Sequence, residues 1–174
     1  VNAGNSIASG GNYNVVLGDE AGTALTTGDN NVAIGFEALK TEDANGNSVA
    51  IGYRALKTQN AGAEAYNVAV GVDAGTAVTT GIKNTFIGAE AGTATTTANF
   101  STAVGFQSLT SNTEGSNTAF GALSLKTVTT GGNNVAIGRE ALEANTGDEN
   151  TAVGYRAGEA VTTGVQNTII GALA

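Results

Sequence analysis

Apolar residues recur along this chain in one short motif: a β-branched residue, a small residue, a large apolar residue and a glycine. The glycine stands at Gly18, Gly35, Gly52, Gly71, Gly88, Gly105, Gly121, Gly138, Gly154 and Gly171, at spacings of 17, 17, 19, 17, 17, 16, 17, 16 and 17 residues. Before it come Leu17, Ile34, Ile51, Val70, Ile87, Val104, Phe120, Ile137, Val153 and Ile170. Three residues before it come Val15, Val32, Val49, Val68, Thr85, Thr102, Thr118, Val135, Thr151 and Thr168. Between these columns stands alanine, except at Val16, Phe86 and Ile169.

Alternation with period two and β-branched enrichment mark a strand. A strand this short must pair with its copies, and a fixed period near 17 residues marks a solenoid. The expected fold is therefore all-β, one parallel β-solenoid of about ten coils over residues 1–174. The Val/Thr and Ile/Val/Leu columns are expected to point into the coil and form its core. The alanine column would then face outward. A small apolar face admits a second layer, either the other wall of a flattened coil or another subunit. We expect a subunit interface, with Phe86 and Ile169 exposed on it.

Four residues before each glycine stand Asn14, Asn31, Asn67, Asn84, Asn117, Asn134, Asn150 and Asn167, with Ser48 and Ser101 in the other two copies. Stacked asparagines can hydrogen-bond from coil to coil, so this column is expected to be a structural ladder. After the glycine the pattern changes. Three residues on, every copy has Ala or Ser, and one further on leucine (Leu39, Leu56, Leu109, Leu125, Leu142) alternates with glycine (Gly22, Gly75, Gly92, Gly158). A segment such as Phe36-Glu37-Ala38-Leu39-Lys40 fits either one helical turn or a short second strand. The rest of each copy is turn material, and the 19-residue copy predicts a bulged loop at 61–66.

The motif Asn47-Ser48-Val49-Ala50-Ile51-Gly52 resembles the head repeats of trimeric autotransporter adhesins. The longer unit Asn30-Asn31-Val32-Ala33-Ile34-Gly35-Phe36-Glu37-Ala38-Leu39 is similar to repeats of phage tail-fibre and marine bacterial surface proteins. The resemblance implies a left-handed β-roll and a trimer. The coils here are a few residues longer than those of the adhesin heads.

Composition narrows the function. The chain has no Cys and no His, so thiol chemistry and the commonest general base and metal ligand are missing. A net charge of −8 opposes binding to phosphate backbones. No 20-residue apolar run offers a membrane span. The acidic column after the glycine (Glu20, Glu37, Asp73, Glu90, Glu140) also holds Arg54, Gln107 and Arg156, which reads as cross-coil pairing rather than a carboxylate pair for catalysis. No catalytic or cofactor-binding residue is expected, and a cation at Asp29, or at Asp148 with Glu149, is only weakly indicated. Thr-Thr pairs occur in five copies only, which argues against ice binding.

The expected function is an extracellular structural protein, on a cell surface or a virion, that assembles with copies of itself into a fibre. The expected contact residues are Val1, Ile7, Ala172, Leu173, Ala174, Phe86 and Ile169, with residues 5–10 read as a degenerate strand motif at the joint. The alternative is a shaft of a trimeric adhesin or tail fibre binding a cell-surface receptor or glycan through Phe36, Tyr53, Phe106 and Tyr155. Nucleic acid and membrane insertion are not expected.

Overall fold

A computed structural model describes residues 2–174. Each copy contributes one three-residue strand: β1 (Val15–Leu17), β2 (Val32–Ile34), β3 (Val49–Ile51), β4 (Val68–Val70), β5 (Thr85–Ile87), β6 (Thr102–Val104), β7 (Thr118–Phe120), β8 (Val135–Ile137), β9 (Thr151–Val153) and β10 (Thr168–Ile170). They form one parallel sheet in chain order, each strand paired to the next. The register keeps column on column, as in Val32↔Val49, Ala33↔Ala50 and Ile34↔Ile51. The solenoid expected from the 17-residue period is thus present. Among the described residues no helix occurs.

The facing of the strands is the reverse of the sequence expectation. Ala33, Ala50, Ala69, Ala103, Ala119, Ala136 and Ala152 are fully buried, while the flanking β-branched and large apolar columns are half-buried or exposed. Alternation shows that a strand has two different faces, and volume decides which one is inside. A coil of about 17 residues brings its second wall so close that a methyl group fills the space. Leu39, Leu56, Leu109, Leu125 and Leu142 come from that wall and complete the core. The outer columns stack on copies of themselves along the rod, about 4.8 Å apart.

The segment after each glycine is neither a helical turn nor a strand. Ala38 N–H donates to Gly35 O at 3.3 Å, and in the next copy Lys57 N–H donates to Arg54 O and Gln59 N–H to Leu56 O. These are consecutive tight turns, with Glu37 at φ 54° and Leu39 at φ 49°. A helix needs an unbroken run of negative φ, which two left-handed residues per segment forbid. A side chain in this conformation costs about 1–2 kcal/mol. Coil-to-coil bonds hold it in place, Glu37 N–H to Asp19 O at 3.1 Å and Leu39 N–H to Ala55 O at 3.0 Å.

The anchor glycines have φ between 123° and 141°, a region open essentially to glycine alone. They also touch: a Cβ added at Gly88 would lie 2.6 Å from Gly105 O, and one at Gly35 would lie 2.4 Å from Gly52 O. The second wall is bonded coil to coil as well, for example Thr26 N–H to Asp43 O at 2.7 Å and Thr79 N–H to Thr96 O at 2.9 Å. The two extra residues of the long copy fall at 61–66 as expected. A Cβ added at Gly62 would meet nothing there within 4 Å.

The asparagine column lies inside the coil. Each Oδ1 accepts the backbone N–H of the next ladder residue, as from Asn14 to Asn31 (2.8 Å), Asn67 to Asn84 (2.8 Å) and Asn117 to Asn134 (2.9 Å). Each Nδ2 up to Asn150 donates to the turn just ahead of that residue, as Asn84 does to Ala98 O at 2.8 Å, while Asn167 Nδ2 donates to Asn150 Oδ1. Serine is too short for both tasks, and beside it a second amide links the serine hydroxyl to the side chain of the next asparagine. Gln59 Nε2 donates to Ser48 Oγ at 3.0 Å, and its Oε1 accepts from Asn67 Nδ2 at 2.8 Å. Asn112 likewise joins Ser101 to Asn117.

Candidate functional site

The outward side of the sheet is the most distinctive surface. Its two strand columns hold Val, Thr, Ile, Leu and Phe from β1 to β10 and no charged residue. Ile87, Ile137 and Phe120 are 40%, 43% and 55% exposed. Beside them, just past the glycine, stand the exposed Phe36, Tyr53, Val72, Phe106 and Tyr155. A contiguous apolar patch larger than a few hundred Å² is rare on a soluble monomer and marks association.

The aromatics are both exposed and packed along the rod. The Phe36 and Tyr53 rings stack at 5.5 Å with planes 16° apart. Arg54 lies over Tyr53 at 5.7 Å, and Arg139 and Arg156 lie over Tyr155 at 5.8 and 5.3 Å. One position further on, the mixed-sign column pairs across coils as expected: Arg54 lies 3.9 Å from Glu37 and 3.6 Å from Asp73, and Arg156 bonds Glu140. Lys40 bonds Glu20 and Glu37, and Lys57 bonds Glu37 at 2.6 Å. Hydrogen bonds from Lys40 and Lys57 hold the Glu37 carboxyl below the usual carboxylate range. The Arg156 hydrogen bond, aided by Arg139, does the same for Glu140. Hydrogen bonds from Glu20 and Glu37 push Lys40 up.

The structure redistributes the expected contact residues. Phe86 is fully buried and Ile169 points inward against the core, so neither lies on an outer face. Glycines make room for them: a Cβ at Gly92 would lie 2.4 Å from Phe86 Cδ1, and one at Gly158 would lie 2.9 Å from Ile169 Cδ1. Residues 5–10 do not continue the strand stack. Ala8 N–H donates to Thr26 O, which places the segment on the second wall, and Ile7 packs against the core from there. Ala172, Leu173 and Ala174 are exposed, with Leu173 N–H donated to Tyr155 O and Ala174 O accepting from Gly158 N–H. Val1 lies outside the described residues.

The carboxylates weighed for a cation work as coil-to-coil acceptors. Asp29 Oδ1 accepts Asn12 N–H at 2.6 Å, Asp148 Oδ1 accepts Gly132 N–H at 2.8 Å, and Glu149 Oε2 accepts Gln166 Nε2 at 2.9 Å. Asp148 and Glu149 line an open surface hollow with Val165 and Gln166.

The columns of the outward face are those that the alternation led us to expect in the interior. The signal that could have placed them is the match between large strand centres and glycines. Val16, Phe86 and Ile169 each face a glycine where other copies have leucine, which only inward-pointing centres explain. No protein-family model, no curated protein and no solved structure matches the chain.

Proposed function

We propose that this chain is an extracellular structural module that assembles with copies of itself into a fibre. The observation that supports it is the outward sheet face, an uncharged strip of β-branched and aromatic side chains along all ten strands. Side-by-side packing removes that strip from water at about 25 cal/mol per Å² of apolar surface.

Electron microscopy of the purified chain over a concentration series, with light scattering on the same samples, tests this. Rods that associate and lengthen as concentration rises are expected. Single rods of one chain at every concentration would refute the reading.

A second reading is a receptor-binding shaft of an adhesin or tail fibre. The exposed rings of Phe36, Tyr53, Phe106 and Tyr155 favour it. Glycan-array binding lost on Tyr53→Ala and Tyr155→Ala, with assembly unchanged, would select it.

A further inference from the structure

The two broad walls of the rod differ in kind. The strand wall projects large apolar side chains such as Ile87, Phe120 and Ile137. The opposite wall presents mostly small and polar residues, Asp43 and Asn60 among the threonines, and some of the threonine hydroxyls donate to the next coil, Thr79 to Thr96 O at 3.2 Å and Thr146 to Thr162 O at 3.0 Å. That wall projects no large apolar side chains comparable to those of the strand wall.

Resting on the self-association reading above, we infer that two copies pair strand wall to strand wall, so that lateral association closes at two. Ten strands about 4.8 Å apart, with outward residues spanning about 13 Å, give a footprint of roughly 600 Å² before side-chain relief is counted. A standard-size interface buries about 600–1,000 Å² of accessible surface from each partner. The whole face in one contact reaches this range. Three copies around an axis would divide each face between two neighbours, leaving roughly half the area per contact. A contact made by the same face on both copies is isologous and leaves no such face free for a third. At the rim, Glu37 and Glu140 are paired within their own chain with Lys40, Lys57, Arg139 and Arg156, which lowers the repulsion between copies.

The test uses the full chain and reads the number of copies abreast, by sedimentation for discrete particles and by mass per length in electron micrographs for fibres. Two abreast is expected. Ile51→Lys with Ile137→Lys should leave single rods with the β circular-dichroism signal kept, while Thr96→Lys with Thr129→Lys on the opposite wall should leave pairs intact. If the first lysine pair unfolds the chain, Ile51→Thr with Ile137→Thr preserves β-branching and should weaken pairing at least tenfold. Three abreast, dispersed by the strand-wall substitutions, would overturn pairing and leave self-association standing. Loss of assembly from the opposite-wall lysines would overturn the assignment of the face. Wild-type single rods at every concentration would overturn both readings.

Discussion

Gly92 gives Phe86 its place: a Cβ on this glycine would lie 2.4 Å from Cδ1 of the ring, while Gly75 clears the other edge with a Cβ position 2.9 Å from Cδ2. The glycine's conformation is not the reason for its identity, since Leu109 holds the same place one coil on at φ 53°. Volume is. The Gly92→Leu variant should lose at least about 2–3 kcal/mol by overpacking, and Phe86→Ala about 3–5 kcal/mol by cavity formation. Together they should cost much less than the sum, because the leucine fills the space left by the ring. Chemical denaturation of the four forms in a double-mutant cycle measures that coupling.

The anchor glycines behave differently, because there both conformation and contact forbid a side chain. Gly105→Ala is expected to cost about 1–3 kcal/mol from its φ of 135° alone. The clash with Gly121 O, 2.7 Å from the new Cβ, adds to that cost. Gly62→Ala, whose Cβ meets no neighbour, should be far milder. Thermal melts of the two variants check the contrast.

The serine copies show how the ladder tolerates substitution. Asn84→Ser leaves the backbone N–H of Ser101 and the carbonyl of Ala98 without their side-chain partners. Unpaired buried groups cost about 1–3 kcal/mol each, so a loss of about 2–4 kcal/mol is expected. Thr95 sits in the same interior column as Gln59 and Asn112, and its buried hydroxyl has no partner. Adding Thr95→Asn to Asn84→Ser recreates the Ser101–Asn112 arrangement and should recover part of the loss. A double variant no more stable than Asn84→Ser would contradict a stabilising role for the bridging amide.

Acid should weaken the fold through the paired carboxylates. Glu37 and Glu140 are held below their ordinary value of 4.5 in the folded chain. The folded state therefore binds fewer protons than the unfolded one in this range. The stabilisation is complete above 4.5 and is lost as pH falls through the lowered folded values. Lys40, raised above 10.5, works at the other limit: its contribution is present below that value and lost as pH rises through the folded one. The urea midpoint measured against pH should fall on both sides. The double variant Glu37→Gln with Glu140→Gln should flatten the acid side.

The solenoid, its coil count and the inter-coil asparagine ladder were legible in the sequence because each is a statement about period. Gly18 to Gly171 mark the coils, and Asn14 to Asn167 keep their place relative to them. Which way the strands face was not legible from period, since Ala33 and Ile34 alternate equally well with either one inside. That choice depends on how much room the second wall leaves. The wall itself was hidden because Glu37 and Leu39 adopt left-handed conformations that their side chains disfavour, and only bonding to the coils on either side stabilises them. The outward face was thus present in full as a set of columns, and period alone did not say that these columns face out.

In this rod the sheet hydrogen bonds that join one coil to the next point along the long axis, and each strand pairs only with its neighbours in the stack. A tensile load on the two ends would therefore pull those bonds in series, and coils would peel away singly while the rest stayed folded. Each release frees about 17 residues, or roughly 55 Å of contour at the extended-chain spacing. Single-molecule stretching should record a train of small, evenly spaced steps of about that length rather than one abrupt rupture. Such a molecule would yield gradually and recoil coil by coil, a spring with as many stages as it has turns.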